Sequence, residues 1–417
     1  MAKKSAAKTS EASDAAAAPE VVSQASIDAR LRAMRASINK EFGANSLMNL
    51  AKTDTTVRFP YQIPSGSIGL DIALGPIRKL PDGRWQTGFA PGRMLEIFGP
   101  EGSGKSTLCM QLMANAQAMG MLGGYVDMEH ALDMKYAQQL GMNLVKTEFT
   151  QPNSGEDALN ITKTLVSSGL MGLVVVDSVA TLVPESELKG EIGDSSMGSL
   201  ARLMSQSCRI MNGDLISSNS LLVWVNQIRE KIGVFYGNPE TTPGGRALRF
   251  YASYRIDIRR KETLKNGDTP YGHTVEFTVI KNKVATPFRK ARVDLIYGYG
   301  FNSHLELVDL CLGRNILTSN GAWVMYGDRA VGQGRFNAAA TVREDRILAY
   351  TLYDALMTTV NAERGLHPDG SPIVGFKSDM PESAPTVVSA FTPLSKEEIT
   401  HIQEMEREDE KVMNETT

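Results

Sequence analysis

Eight consecutive residues, Gly99-Pro100-Glu101-Gly102-Ser103-Gly104-Lys105-Ser106, carry the pattern G-x-x-x-x-G-K-[S/T] at every fixed position. These residue types suit the cradling of a polyphosphate. Glycines let the backbone curl so that its N–H groups converge on phosphate oxygens. The N-terminus of a following helix, beginning at Thr107, adds partial positive charge. The spacing lets Lys105 reach the β- and γ-phosphates of ATP and lets the Ser106 hydroxyl ligate Mg²⁺. Three other segments end in polar groups. Asp177 closes the apolar run Leu173–Val176, where an acid in a phosphate-loop enzyme serves the Mg²⁺ shell. Asp127 and Glu129 follow Tyr125-Val126. Glu129 is a candidate base for the water that attacks the γ-phosphate, or else a surface carboxylate, and spacing favours neither. Asn226 and Gln227 close Leu221–Val225. Two amides there suit hydrogen bonding to a γ-phosphate, or the capping of a turn.

These groups need a sheet to hold them. Apolar stretches at 93–98, 123–127, 173–177 and 221–226 alternate with helical patterns, including Thr107 to Met121. Strands that are apolar throughout, separated by helices, predict an α/β fold with a mostly parallel sheet covered on both faces. In such a sheet ligands sit at the carboxyl ends of the strands, where the polar residues fall. After Gln227 comes a Gly-rich, basic stretch, 228–245, with Arg229, Lys231, Phe235 and Tyr236. Basic charge beside a stacking ring is chemistry for single-stranded nucleic acid.

The 417 residues carry a net charge of −3, unevenly spread. Residues 226–261 hold eight Lys/Arg against three Asp/Glu, a candidate polyanion contact. Residues 1–40 hold seven against four, and 396–417 hold three against eight. Cys109, Cys208 and Cys311 stand apart, with no C-x-x-C, so neither a zinc site nor a disulfide framework is suggested. No apolar run approaches the length of a membrane helix, and no secretory segment follows the N-terminal lysines, so the chain reads as cytoplasmic with no membrane partner. The segments divide as a disordered Ala/Ser/Lys-rich tail over 1–25, a helix and strand over 26–60, a core over 61–300, a small domain over 301–365, and a linker with acidic tail over 366–417. Ile27, Leu31, Met34, Ile38 and Phe42 line one face of a helix at 26–42 that needs something to pack on. Residues 76–91 read as an exposed turn-rich loop, and 341–365 as helical.

Between Ile38 and Gln333 the chain closely resembles the bacterial RecA recombinase family. The resemblance lies in IPSGSIGLDIALG (63–75), GPEGSGKST (99–107), YVDMEHALD (125–133), VVVDSVATLVPESELKGEIGDSSMG (174–198), LARLMSQSCRIMNGDL (200–215), VNQIREKIGVFYGNPETTPGGRALRFYAS (225–253), IDIRR (256–260) and VIKNKVATPF (279–288). It implies a RecA-like phosphate-loop ATPase core, an N-terminal polymerisation helix that docks on the adjacent subunit, and a small C-terminal α/β domain. Glu129 is then the catalytic carboxylate, Asp133 and Tyr136 contact adenine, and Asp177 and Ser178 serve the metal and nucleotide shell. Gln227 reports the γ-phosphate to the DNA loop. Lys281 and Lys283 reach a neighbouring subunit's ATP. Met197, Gly198 and Arg202 belong to a first DNA-binding loop. Arg229, Lys231, Phe235, Tyr236, Gly244 and Gly245 belong to a second. The implied activity is that of a DNA-dependent ATPase that forms helical filaments of its own copies on single-stranded DNA and exchanges strands with double-stranded DNA in recombination and repair. A hexameric motor or clock-like ATPase is the rival, and the paired loops distinguish them. Position 236 is Tyr where the family usually has Phe, and position 106 is Ser in place of the commoner Thr. The resemblance fades after about residue 340, and the tail is similar only in charge.

Overall fold

The structure, a computed structural model, describes residues 24–43, 46–47, 59–191, 198–230, 239–371 and 373. A nine-stranded sheet holds its centre. Its strands are β1 (Arg93–Gly99), β2 (Leu122–Asp127), β3 (Thr147–Thr150), β4 (Met171–Asp177), β5 (Leu221–Gln227), β6 (Tyr254–Asn266), β7 (Thr269–Asn282), β8 (Lys290–Ile296) and β9 (Gly300–Phe301). Their order across the sheet is β9-β8-β7-β6-β1-β5-β4-β2-β3. The six strands from β6 to β3 run parallel. From β6 outward the pairing turns antiparallel, and β6 to β9 form a meander. The four strands expected from sequence are therefore the middle of a wider sheet. β3 and the meander alternate with polar residues and lack the continuous apolar runs that mark buried parallel strands.

The principal helices are α1 (Gln24–Phe42), α2 (Ile68–Leu74), α3 (Lys105–Ala118), α4 (Met134–Gln139), α5 (Gly155–Ser167), α6 (Ser199–Ser218), α7 (Ser303–Leu312), α8 (Gly334–Glu344) and α9 (Arg346–Glu363). Period-two alternation sorts the residues of β1 between two cores. Leu95 and Ile97 pack with Leu108 and Leu112 of α3 and with Val275 and Phe277 of β7. Met94 packs on the other face with Val174, Val176 and Trp224 and with Met204 and Met211 of α6. Cys109 and Cys208 are buried and free as small hydrophobes of these two cores, and Cys311 is buried and free in a third.

A third core joins α7, α8, α9 and a three-stranded ribbon at 318–333. The stretch 341–365 is helical and divides between α8 and α9, because Asp345 ends α8 and caps α9, accepting from Leu348 N–H at 2.9 Å. Residues 76–91 are not an exposed loop. Ile77, Phe89 and Ala90 are buried, and Arg78–Lys79 pairs with Trp85–Gln86 as a short antiparallel ribbon. That ribbon grips α9. The Lys79 ammonium and the Trp85 Nε1–H both donate to Asp354, and Tyr350 O–H donates to the Gly83 carbonyl. The turn residues that signal a loop here shape a clamp, whose partners lie far along the chain. Among the described residues no helix is long and apolar enough to cross a membrane.

Candidate nucleotide site and the adjoining loops

The phosphate-binding pattern sits at the carboxyl end of β1 and runs into α3. Gly104 caps α3 at φ 99°, a conformation that side chains rarely adopt, and a Cβ there would lie 2.9 Å from Leu295. The loop opens into a cleft of about 760 Å³. Gly99, Pro100, Glu101, Gly102, Gly104, Lys105, Ser106 and Thr107 line it, with Glu129, Tyr136, Asp177 and Gln227. Residues from β1, β2, β4 and β5 thus converge at the strands' carboxyl ends.

Lys105 Nζ donates to the carbonyls of Gly99 at 3.2 Å and Pro100 at 2.8 Å. Burial lowers its pKa, opposed by Glu129 and Asp177. Asp177 Oδ2 accepts from Ser106 Oγ at 3.1 Å and from Tyr125 O–H at 2.8 Å. Burial pushes the Asp177 carboxyl up to about 6, and the charge of Glu129 adds to that rise. Its other oxygen, Oδ1, is buried with no hydrogen-bond partner. A buried orphan carboxylate oxygen beside a serine hydroxyl is a hard oxygen donor set that fits Mg²⁺.

Glu129 stands on the turn after β2, where the Met128 and Glu129 N–H groups both donate to the Asp177 carbonyl. Gln227 Nε2 donates to Glu129 Oε1 at 2.8 Å. The candidate base and the candidate phosphate sensor therefore touch. Tyr136 O–H lies 3.2 Å from Thr107 Oγ1. Asp133 lies outside the cleft lining. Its Oδ1 caps α4, accepting from Lys135 and Tyr136 N–H, and so orients Tyr136. Ser178 and Ser103 are fully buried and also outside the lining.

Lys281 and Lys283 are not in this cleft. Lys281 Nζ donates to the carbonyls of Arg249 at 2.6 Å and Phe250 at 3.0 Å, and Lys283 Nζ donates to Phe250 at 3.2 Å. The cleft instead includes His273 on β7 and Leu295, Tyr297 and Gly298 at the end of β8, none of them singled out by the sequence. His273 Nδ1 is 3.3 Å from Tyr297 OH. Burial lowers the His273 pKa, and Arg260 lowers it further. No local pattern marks these residues, since the meander alone brings them to the phosphate loop.

Met197, Lys231, Phe235 and Tyr236 lie outside the described residues. Gly198 caps α6, and Arg202 is exposed one turn later. Arg229 is exposed and pairs with Thr241 across a two-residue ribbon. Gly244 and Gly245 pack on α6, and at Gly245 (φ 73°) a Cβ would stand 2.8 Å from Ala201 Cβ. The roots of both loops therefore meet on one helix. The basic segment is less free than its count suggests. Arg255 pairs with Glu96, Arg259 with Glu240 and Asp257, and Lys261 with Glu276.

Comparison with known proteins gives a consistent result. The RecA N-terminal domain matches residues 29–302 and the RecA C-terminal domain matches 305–361. The resemblance therefore does not fade at residue 340. The chain is 45% identical to Protein RecA of Paracoccus denitrificans over 339 residues, 81% of this chain and 92% of that protein. It is 47% identical to Protein RecA 2 of Myxococcus xanthus over 308 residues, 74% and 83% of the two chains. Protein RecA of Bacillus subtilis is 45% identical over 324 residues, 78% and 88%.

Proposed function

The chain belongs to the RecA family, and from that membership we propose how its site and surfaces divide the work. It is a DNA-dependent ATPase with a role in recombination and DNA repair. The phosphate loop, with Lys105 and Ser106, holds the phosphates of ATP, and Tyr136, oriented by Asp133, receives the base. Ser106 and Asp177 hold Mg²⁺, which when bound neutralises charge on the phosphate oxygens. Glu129 orients the attacking water and takes its proton as the water oxygen bonds to the γ-phosphorus. The bond to the bridging oxygen breaks, giving ADP and phosphate.

Gln227 supplies the switch. Its side chain can donate to Glu129 or to a γ-phosphate oxygen. With ATP bound it turns to the phosphate, frees Glu129 for water, and shifts the loop that begins at residue 228. That loop and the one ending at Gly198 bind single-stranded DNA. Copies of the chain assemble along it as a helical filament, α1 docking on the adjacent copy and Lys281 and Lys283 reaching the adjacent ATP. The filament then pairs its strand with double-stranded DNA in the cytoplasm. The core spans 61–300, with 26–60 for docking and 301–365 as a small attached domain.

One observation carries this reading: the 2.8 Å bond between Gln227 Nε2 and Glu129 Oε1 joins the hydrolytic cleft to the root of the second loop. The test is ATP turnover with and without single-stranded DNA, with negative-stain imaging of the same samples. DNA-stimulated turnover and filaments are expected. Turnover indifferent to DNA would refute the reading.

A further inference from the structure

Beneath the cleft, on the sheet face that α6 covers, one carboxylate joins three strands. Glu96 of β1 is fully buried, at 0% exposure. A carboxylate at that depth persists only with its oxygens satisfied. Glu96 Oε2 accepts from Arg255 Nε at 2.5 Å, and Oε1 accepts from Asn226 Nδ2 at 3.1 Å. Each partner leads to a different segment. Asn226 Nδ2 also donates to the Pro243 carbonyl at 3.1 Å, where the second loop returns. Asn226 Oδ1 accepts the Gln227 N–H at 3.0 Å. Asn226 therefore ties the loop's start to its end. On the other side, Arg255 faces Glu96 across the β1–β6 pairing, and Lys281 faces Arg255 across β6–β7. The Arg255 guanidinium lies 4.7 Å from the Phe98 ring centre, which fixes its orientation.

We propose that Glu96 is a positioning residue that couples Gln227 to both the second loop and the Lys281 strand. The proposal rests on the roles given above to Gln227 and the lysines. Glu96 is suited to this because both its oxygens accept, and Asn226 and Arg255 both donate. A glutamine keeps the shape but offers one acceptor and one donor. It can serve Asn226 or Arg255, and its NH₂ must then face the other donor. With either arm broken, a displacement at Gln227 no longer obliges Pro243 or Arg255 to follow.

The experiment uses the full chain and a fluorescent single-stranded oligonucleotide. Affinity is measured by anisotropy with a non-hydrolysable ATP analogue and with ADP, and the ratio of the two is the coupling. In Glu96→Gln the ratio is expected to fall at least ~10-fold, within the usual range of coupling between sites. Affinity for the analogue without DNA is expected to stay within about threefold, since Glu96 lies outside the cleft lining. A folded Glu96→Gln with the wild-type ratio overturns the inference. Breaking a buried pair can unfold a protein, so the double variant Glu96→Gln/Arg255→Gln supplies a neutral, hydrogen-bonded replacement. Its melting temperature is expected to return toward wild type while the ratio stays low, because the charged arm toward Lys281 is gone. Recovery of both melting and coupling would make Glu96 a fold-keeping residue and overturn the inference. A wild-type ratio of 1 refutes the reading of Gln227 itself, and this proposal with it.

Discussion

Glu129→Gln isolates charge from shape in the cleft. The glutamine oxygen can still accept from Gln227 Nε2, now at 2.8 Å from Glu129 Oε1, so the turn after β2 and the Gln227 side chain keep their places. What disappears is the acceptor for a proton from water. A positioned acid–base group contributes ~10²–10⁴ in rate. At about 1.4 kcal/mol per factor of ten, the barrier rises by roughly 3–5 kcal/mol. Binding should move the other way or not at all. Glu129 raises the Asp177 carboxyl as a like charge, and ATP brings further negative charge to the same cleft. Removing one negative group therefore leaves nucleotide affinity within about threefold of wild type or tightens it slightly, given that Glu129 is exposed to solvent. The assay pairs single-turnover ATP hydrolysis at saturating single-stranded DNA with titration of a fluorescent ATP analogue. Hydrolysis within a few fold of wild type would mean that another group activates the water. Nucleotide affinity reduced by more than tenfold would mean that Glu129 binds ATP and does not act on water.

The structure supports three further predictions. Lys281→Ala and Lys283→Ala are expected to leave ATP affinity of dilute monomer near wild type, because both ammonium groups sit on the Arg249 and Phe250 carbonyls outside the cleft. DNA-stimulated turnover is expected to fall by ~10³-fold, the lower end for a cation supplied by a partner, and weakened monomer binding would contradict action across an interface. Asp354→Ala removes the acceptor of the Trp85 indole N–H and is expected to cost about 1 kcal/mol and to open the 78–86 ribbon to protease; an unchanged melting temperature and cleavage pattern would show that the ribbon is not a clamp. Burial pushes Glu306 up to about 8 and Asp71 up to about 6, against ordinary values of 4.5 and 3.8. Both folded values lie above the unfolded ones, so the stabilising contribution is full below about pH 4 and declines as pH rises, until about 6 for Asp71 and about 8 for Glu306. Glu306→Gln should flatten that decline by up to about 1.4 kcal/mol per pH unit, measured by urea midpoints from pH 5 to 8; an unchanged slope would exclude Glu306 as its source.

The sequence by itself determined the chemistry that neighbours along the chain can encode. Gly99 to Ser106 are legible because a phosphate loop is one continuous backbone turn, whose glycines and lysine have fixed spacing. That Asp177, Glu129 and Gln227 lie at strand ends facing one cleft is legible because each follows an apolar run, and strands of a covered parallel sheet end where ligands bind, while spacing leaves the roles of Glu129 and Gln227 open. Whole motifs further disclosed the family, and with it the role proposed for Lys281 and Lys283, which no local pattern marks. The tertiary structure alone decided which of these groups meet. Gln227 touches Glu129 across 98 residues of chain because β5 and β2 flank β4. Arg255 reaches Glu96 across 159 residues because β6 adds beside β1. Tyr125 and Ser106 share one oxygen of Asp177 and leave the other buried without a hydrogen-bond partner. His273 and Tyr297 enter the cleft from an antiparallel meander whose alternating strands carry no ligand signature. The residues read as a loop at 76–91 became a clamp once α9 lay against them. Periodicity and spacing constrain what lies within a few residues. Strand order, set by how apolar faces are covered, determines contacts between residues a hundred positions apart, and it is written in no single stretch of sequence.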